Sequence, residues 1–109
     1  MKSKIRAIVK RTDELYGHMT NISNTLENLQ KTVGGYIEAV CIGKAEVDSE
    51  ERDIVILCDE DGKSKHKMPN IALGMDIIVG DIVVVGADEE DFCDVPITFQ
   101  EWKEMGYAG

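Results

Sequence analysis

The stretch "MDIIVGDIVVVGAD", residues 75–88, decides the fold. It carries the strongest strand signal in the chain, a run of β-branched apolar residues broken once by Gly80-Asp81. Residues 82–85, Ile-Val-Val-Val, are apolar on both alternating faces, so they read as a central strand covered on both sides. Gly86 is expected to stop that strand. Gly80-Asp81 fits either a tight turn or a bulge where the backbone bends, and the residues leave both open.

A central strand needs partners, and the flanking sequence supplies them. "DIVILC", 53–58, is apolar from Ile54 onward and reads as a second central strand. "DEDG", 59–62, contains an Asp-Gly turn. After it, "KSKHKMP" alternates Lys63, Lys65 and Lys67 against Ser64, His66 and Met68. That pattern predicts the returning arm of a hairpin, with lysines guarding a sheet edge. "PNIALG", 69–74, reads as a turn or a single helical turn. "YIEAVCI", 36–42, is a strand, with Tyr36, Glu38, Val40 and Ile42 on one face. "GKAEVDSEERD", 43–53, has little to bury and is expected to be a mobile loop.

Helices are expected at two places. Asn24 as N-cap and Glu27 three residues on form a capping-box variant. Leu26, Leu29 and Val33 then make one apolar stripe, and Gly34 stands where a left-handed residue closes a helix. The predicted helix, near 25–33, is too short to hold alone in water and must lie on a sheet. Near the C-terminus, Thr98 and Glu101 form a full capping box, Ile97 can staple to Trp102, and the helix runs near 99–105. "KIRAIVK", 4–10, and "HMTNI", 18–22, read as a hairpin. The expectation is one α+β domain over residues 1–109, mostly antiparallel, in the order ββαββββ plus a terminal helix.

Composition narrows function by exclusion. Net charge is −9, but residues 1–47 carry +2 and residues 48–109 carry −11. Such acidity argues against direct DNA binding, which needs cations to displace phosphate counterions. It favours fast encounter with basic partners. No apolar run is long enough to span a membrane, and the N-terminus has no signal-peptide core. Cys41, Cys58 and Cys93 are an odd, scattered set, read as reduced thiols of a cytoplasmic protein. Cys41 and Cys58 are expected in the core.

The residues offer no obvious catalysis. There is no GxSxG, and His18 and His66 sit in exposed-looking segments. Clustered metal ligands are missing, so neither metal nor cofactor is expected. Gly34-Gly35 follows a helix and precedes a strand, the reverse of a phosphate-binding glycine loop, so it reads mainly as a helix stop. Two interaction candidates remain. One is the acidic segment Asp88, Glu89, Glu90, Asp91 and Asp94, with Phe92 among the carboxylates, as a mimic of spaced phosphates. The other is a basic set on Lys4, Arg6, Lys63, Lys65 and Lys67 that could hold a small anionic ligand. In that second reading Arg6, Lys63 and Lys65 meet phosphate, Tyr36 stacks on a base, and Glu38 and Asn70 complete the contacts.

The blocks "IRAIV" (5–9), "NTLENLQKTVGGYIEAV" (24–40), "DEDGK" (59–63), "PN" (69–70) and "DIIVGDIVVVG" (76–86) resemble a family of small phage and mobile-element proteins of Firmicutes, known only as a domain of unknown function. The charged stretch 43–53 and the C-terminal helix depart from that pattern. The resemblance implies a non-enzymatic accessory protein, and small acidic phage proteins of this size often inhibit host defence. The leading expectation is therefore an anti-defence inhibitor that binds a protein with a basic nucleic-acid groove, such as a type II (Cas9) CRISPR nuclease. The alternatives are a homo-oligomeric sponge for a nucleotide immune signal and a phage structural or regulatory module.

Overall fold

The apolar run 82–85 lies at the middle of a six-stranded antiparallel sheet. A computed structural model describes residues 3–107. The order is β1 (Lys4–Lys10), β2 (His18–Ser23), α1 (Leu26–Val33), β3 (Ile37–Val47), β4 (Glu50–Asp59), β5 (Pro69–Leu73), β6 (Asp76–Val79), β7 (Ile82–Ala87), β8 (Phe92–Cys93) and α2 (Phe99–Glu104). The main sheet runs β2-β1-β7-β4-β3, and β5 and β6 form a separate two-stranded sheet. The protein is α+β and mostly antiparallel, as its residues predict.

The two faces of the sheet are read directly from alternation. On one face Ile5, Ala7, Val9, Val55, Leu57, Val83 and Val85 pack with Leu29 and Val33 of α1. On the other, Ile8, Ile54, Ile56, Cys58, Ile82 and Val84 meet Ile71 and Ile78 of the small sheet, then Val95, Ile97 and Trp102. Trp102 is fully buried, and its indole N–H donates to the Tyr16 carbonyl at 2.8 Å. This satisfies the one polar atom of the side chain, so its large apolar surface is buried without penalty. The Thr98–Glu101 capping box is formed as its spacing predicts.

Gly80-Asp81 is neither a hairpin turn nor a bulge within one strand. It is the crossing between sheets: β6 belongs to the small sheet and β7 to the large one. Gly80 has φ +81°, and its N–H donates to the Met68 carbonyl at 2.8 Å. The small sheet is pinned next to this crossing by a buried polar pair. Asn70 donates to the carbonyls of Lys10 and Gly80, at 2.9 and 2.8 Å, and its Oδ1 accepts from Lys10 Nζ at 2.6 Å. Burial holds the Lys10 ammonium below the usual lysine range, against the opposing charge of Glu14.

Several expectations are corrected. The predicted loop 43–53 is ordered hairpin: β3 continues to Val47, and β4 begins at Glu50. Asp48 and Ser49 both have positive φ, 51° and 65°, as a two-residue type I′ turn requires. Polar residues suffice there because the pairing is backbone-driven and both faces reach solvent. The register shifts between Cys41 and Gly43, so Ile42 is a bulge residue. The lysine segment is not a strand, since residues 60–66 are turns. Residues 69–73 form β5 instead of a turn, and β5 pairs with β6 and not with β4. Gly86 does not end β7, which pairs on through Ala87. The α1 cap is Thr25, whose side chain accepts from the Asn28 N–H, one residue later than predicted. Leu26 is 60% exposed, so only Leu29 and Val33 of the stripe are buried. Cys41 is exposed because β3 is an edge strand. Cys58 is buried as expected, and burial followed by the charge of Glu38 pushes its thiol up to about 11.

Candidate functional site

Two lysines of the predicted basic strand, Lys65 and Lys67, gather on one buried carboxylate. Asp59 ends β4 with a fully buried side chain. Its Oδ2 lies 2.8 Å from Lys65 Nζ and 2.7 Å from Lys67 Nζ, and its Oδ1 accepts from the Asp61 N–H at 2.9 Å. Burial pushes this carboxyl upward, but the two lysines and the backbone N–H outweigh it and hold it well below the usual carboxylate range. The same ammonium groups close α1. Lys67 donates to the Val33 carbonyl at 2.8 Å, and Lys65 donates to the Gly34 carbonyl at 3.2 Å. Cations at a helix C-terminus satisfy orphan carbonyls and the negative end of the helix dipole.

This arrangement explains Gly34-Gly35. Gly34 has φ +80° and caps α1 in the left-handed conformation predicted for it. A Cβ on Gly34 would meet Lys67 Nζ at 2.7 Å. A Cβ on Gly35 would run into Asp59 Oδ1 and meet Lys65 Nζ at 2.6 Å. The glycines clear space for an internal ion cluster.

A second charged region forms at the far end of the β3–β4 hairpin. Asp53 pairs with Ala87, which sets the hairpin tip beside the turn that follows β7. A cleft of about 460 Å³ lies between them, lined by Glu50, Glu51, Arg52, Asp88, Glu89 and Glu90. Arg52 pairs with Glu50 at 2.6 Å, and Glu51 pairs with Lys44 at 3.2 Å. Asp88 folds its own turn: its Oδ1 accepts from the N–H groups of Glu90 and Asp91, both at 2.9 Å. Those N–H groups hold the Asp88 carboxyl below its ordinary value, so it is ionised across the physiological range.

The members of the predicted acidic set have different placements. Glu89 and Glu90 project from the exposed turn. Asp91 accepts from the Phe92 N–H at 2.8 Å, and Phe92 packs against the α1-side core. Asn24, displaced from its predicted cap, donates to the Phe92 carbonyl at 3.1 Å and so ties the turn to the start of α1. Asp94 accepts from the Arg6 N–H at 2.8 Å. Glu50, Glu51 and Arg52 belong to this region, although their composition alone reads as loop. The signal that could have placed them is Asp48-Ser49, a turn pair with alternating residues on both sides.

The alternative ligand set is not brought to one place. Glu38 and Lys63 line a 280 Å³ cavity with Asp59 and Asp76, and Lys63 is 2.6 Å from Asp76. Lys65 is held on Asp59, and Asn70 is buried against Lys10. Tyr36 is 68% exposed. Arg6 lines a separate groove of about 730 Å³. Among the described residues no group of three His, Cys, Asp or Glu side chains could hold a metal ion, and no helix is long and apolar enough to cross a membrane.

Fold and surface together define a small α+β domain with a braced ionic cluster at one place and an acidic cleft at another. The chain belongs to the DUF3846 family, a domain of unknown function whose family model matches residues 5–106. No curated protein and no solved structure matches it.

Proposed function

We propose that this protein is a non-enzymatic binding protein of a phage or mobile element. Its acidic end occupies the basic nucleic-acid-binding surface of a bacterial immune component. The observation that supports the reading is the convergence of two turns, which places Glu50, Glu51, Asp88, Glu89 and Glu90 around Arg52 in one cleft. Two of these carboxylates have a cation at hand, and the remainder face solvent from an ordered frame. A turn whose backbone is already held by hydrogen bonds presents its charges with a smaller ordering cost on binding. The lysines that could have served a nucleotide are instead spent on Asp59, Asp76 and the end of α1, which favours this reading over the nucleotide sponge.

The target to try first is a type II (Cas9) CRISPR nuclease with its guide, whose channel is basic. The test is binding of the purified chain to that complex by interferometry. The comparison is a variant carrying Asp88→Asn, Glu89→Gln, Glu90→Gln and Asp91→Asn. Binding should weaken at least tenfold in the variant and should fall with added salt. Equal binding by both proteins would remove the acidic end from the interface. If the intact chain does not bind, this nuclease is not its partner.

A further inference from the structure

A second concavity adjoins the acidic cleft and shares Arg52 with it. It is a groove of about 730 Å³, a volume typical of sites that take a bulky group. The groove exists because of how the chain returns after β7. The β1–β7 pairing stops at Ile8↔Val84, and β8 takes over beside β7 at Gly86 and Ala87. The Val95 N–H then donates to the Arg6 carbonyl at 2.8 Å. The segment leading into α2 therefore crosses the sheet between β1 and the hairpin tip and leaves a trough beside it. Met19, Val47, Val95, Ile97 and Phe99 give that trough an apolar lining.

Its charged rim selects the sign of the occupant. Asp48 and Glu101 lie on that rim with Arg6 and Arg52, and Arg52 is already paired with Glu50 at 2.6 Å. The adjoining cleft adds Glu51, Asp88, Glu89 and Glu90. An anionic ligand, nucleic acid included, would be repelled along the whole of this end. A cationic protein segment carrying an apolar side chain would be attracted and then anchored.

Resting on the acidic-end reading above, we infer that the 730 Å³ groove receives an aromatic or large aliphatic side chain of the partner protein while the adjoining cleft holds the Lys or Arg residues next to it. Interfaces commonly combine a buried aromatic anchor with a charged rim in this way. The cleft supplies the attraction, and the groove supplies the specificity.

The test uses two acetylated, amidated peptides, Lys-Arg-Trp-Lys-Arg and Lys-Arg-Ser-Lys-Arg, titrated into the ¹⁵N-labelled full chain. Both should shift the amide signals of Glu50, Glu51, Glu89 and Glu90. Only the Trp peptide should shift Met19, Val95 and Phe99, and it should bind at least tenfold tighter. The Phe99→Ala variant should erase that preference while keeping the response at Glu89 and Glu90. If its spectrum shows loss of fold, Met19→Ala serves the same purpose. Equal affinities with no shifts in the groove would overturn the groove assignment and leave the acidic end standing. No shifts from either peptide would overturn both.

Discussion

Asp59 and Asp88 are both aspartates at strand ends with carboxyl groups held below the usual range, yet they do opposite things. Asp59 is turned inward, with two lysine ammonium groups and a backbone N–H on it and two glycines making room. Asp88 is turned outward and stabilised by the N–H groups of its own turn, so its neighbours Glu89 and Glu90 are free to face solvent. The lesson is that carboxylate density in a sequence does not locate a binding surface. What distinguishes the two aspartates is what answers the charge: lysine ammonium groups for Asp59, and the backbone N–H groups of its own turn for Asp88.

The contrast can be broken most severely at the buried end. Asp59→Ala leaves two ammonium groups converging on a vacant buried position, and loss of one partner from a buried ion pair costs on the order of 3 kcal/mol. Chemical denaturation should show a lower midpoint with little change in slope. An unchanged midpoint would mean that the cluster is not a brace. Next in size is Gly35→Ala, whose Cβ lands on Asp59 Oδ1 and Lys65 Nζ. Overpacking of this kind costs about 1–3 kcal/mol. Because the same atoms are involved, the double variant with Asp59→Ala should cost less than the sum of the two single changes, which a double-mutant cycle measures.

Acid sharpens the comparison further. The folded Asp59 carboxyl lies below its unfolded value of about 3.9, so its stabilisation is complete above that pH and is lost as pH falls toward the folded pKa. Thermal melts should show the gap between the native chain and Asp59→Asn closing as pH drops below about 4. A constant gap would contradict the ionic assignment. The smallest effect belongs to the exposed end. Asp88→Asn with Glu89→Gln and Glu90→Gln should move stability by no more than about 0.5 kcal/mol, because the Asn side-chain oxygen still accepts the turn N–H groups. A larger loss would mean that this acidic turn is itself structural.

Much of the architecture was legible because periodicity reports burial. Residues 54–58 and 82–85 are apolar on both faces, and both strands are covered on both sides. Gly34 and the Thr98–Glu101 box mark helix ends by local rules that need no tertiary partner. Where burial is weak the pattern fails. The strand extensions at 43–47 and 50–52 carry charge on an exposed hairpin, and only pairing reveals them. Residues 63–67 alternate like a strand, but their lysines are drawn to Asp59, Asp76 and the α1 terminus, and the backbone turns to deliver them.

The candidate surface divides in the same way. Asp88–Asp91 stood out from composition, whereas Glu50, Glu51 and Arg52 did not, being far away in sequence and read as loop. Local sequence specifies the apolar strands, two helix ends and the acidity of the second half, since each is a property of neighbouring residues. Tertiary structure decided which charges are consumed and which are offered. That depends on which elements meet, and electrostatic pairing acts between residues that the chain separates and the sheet brings together.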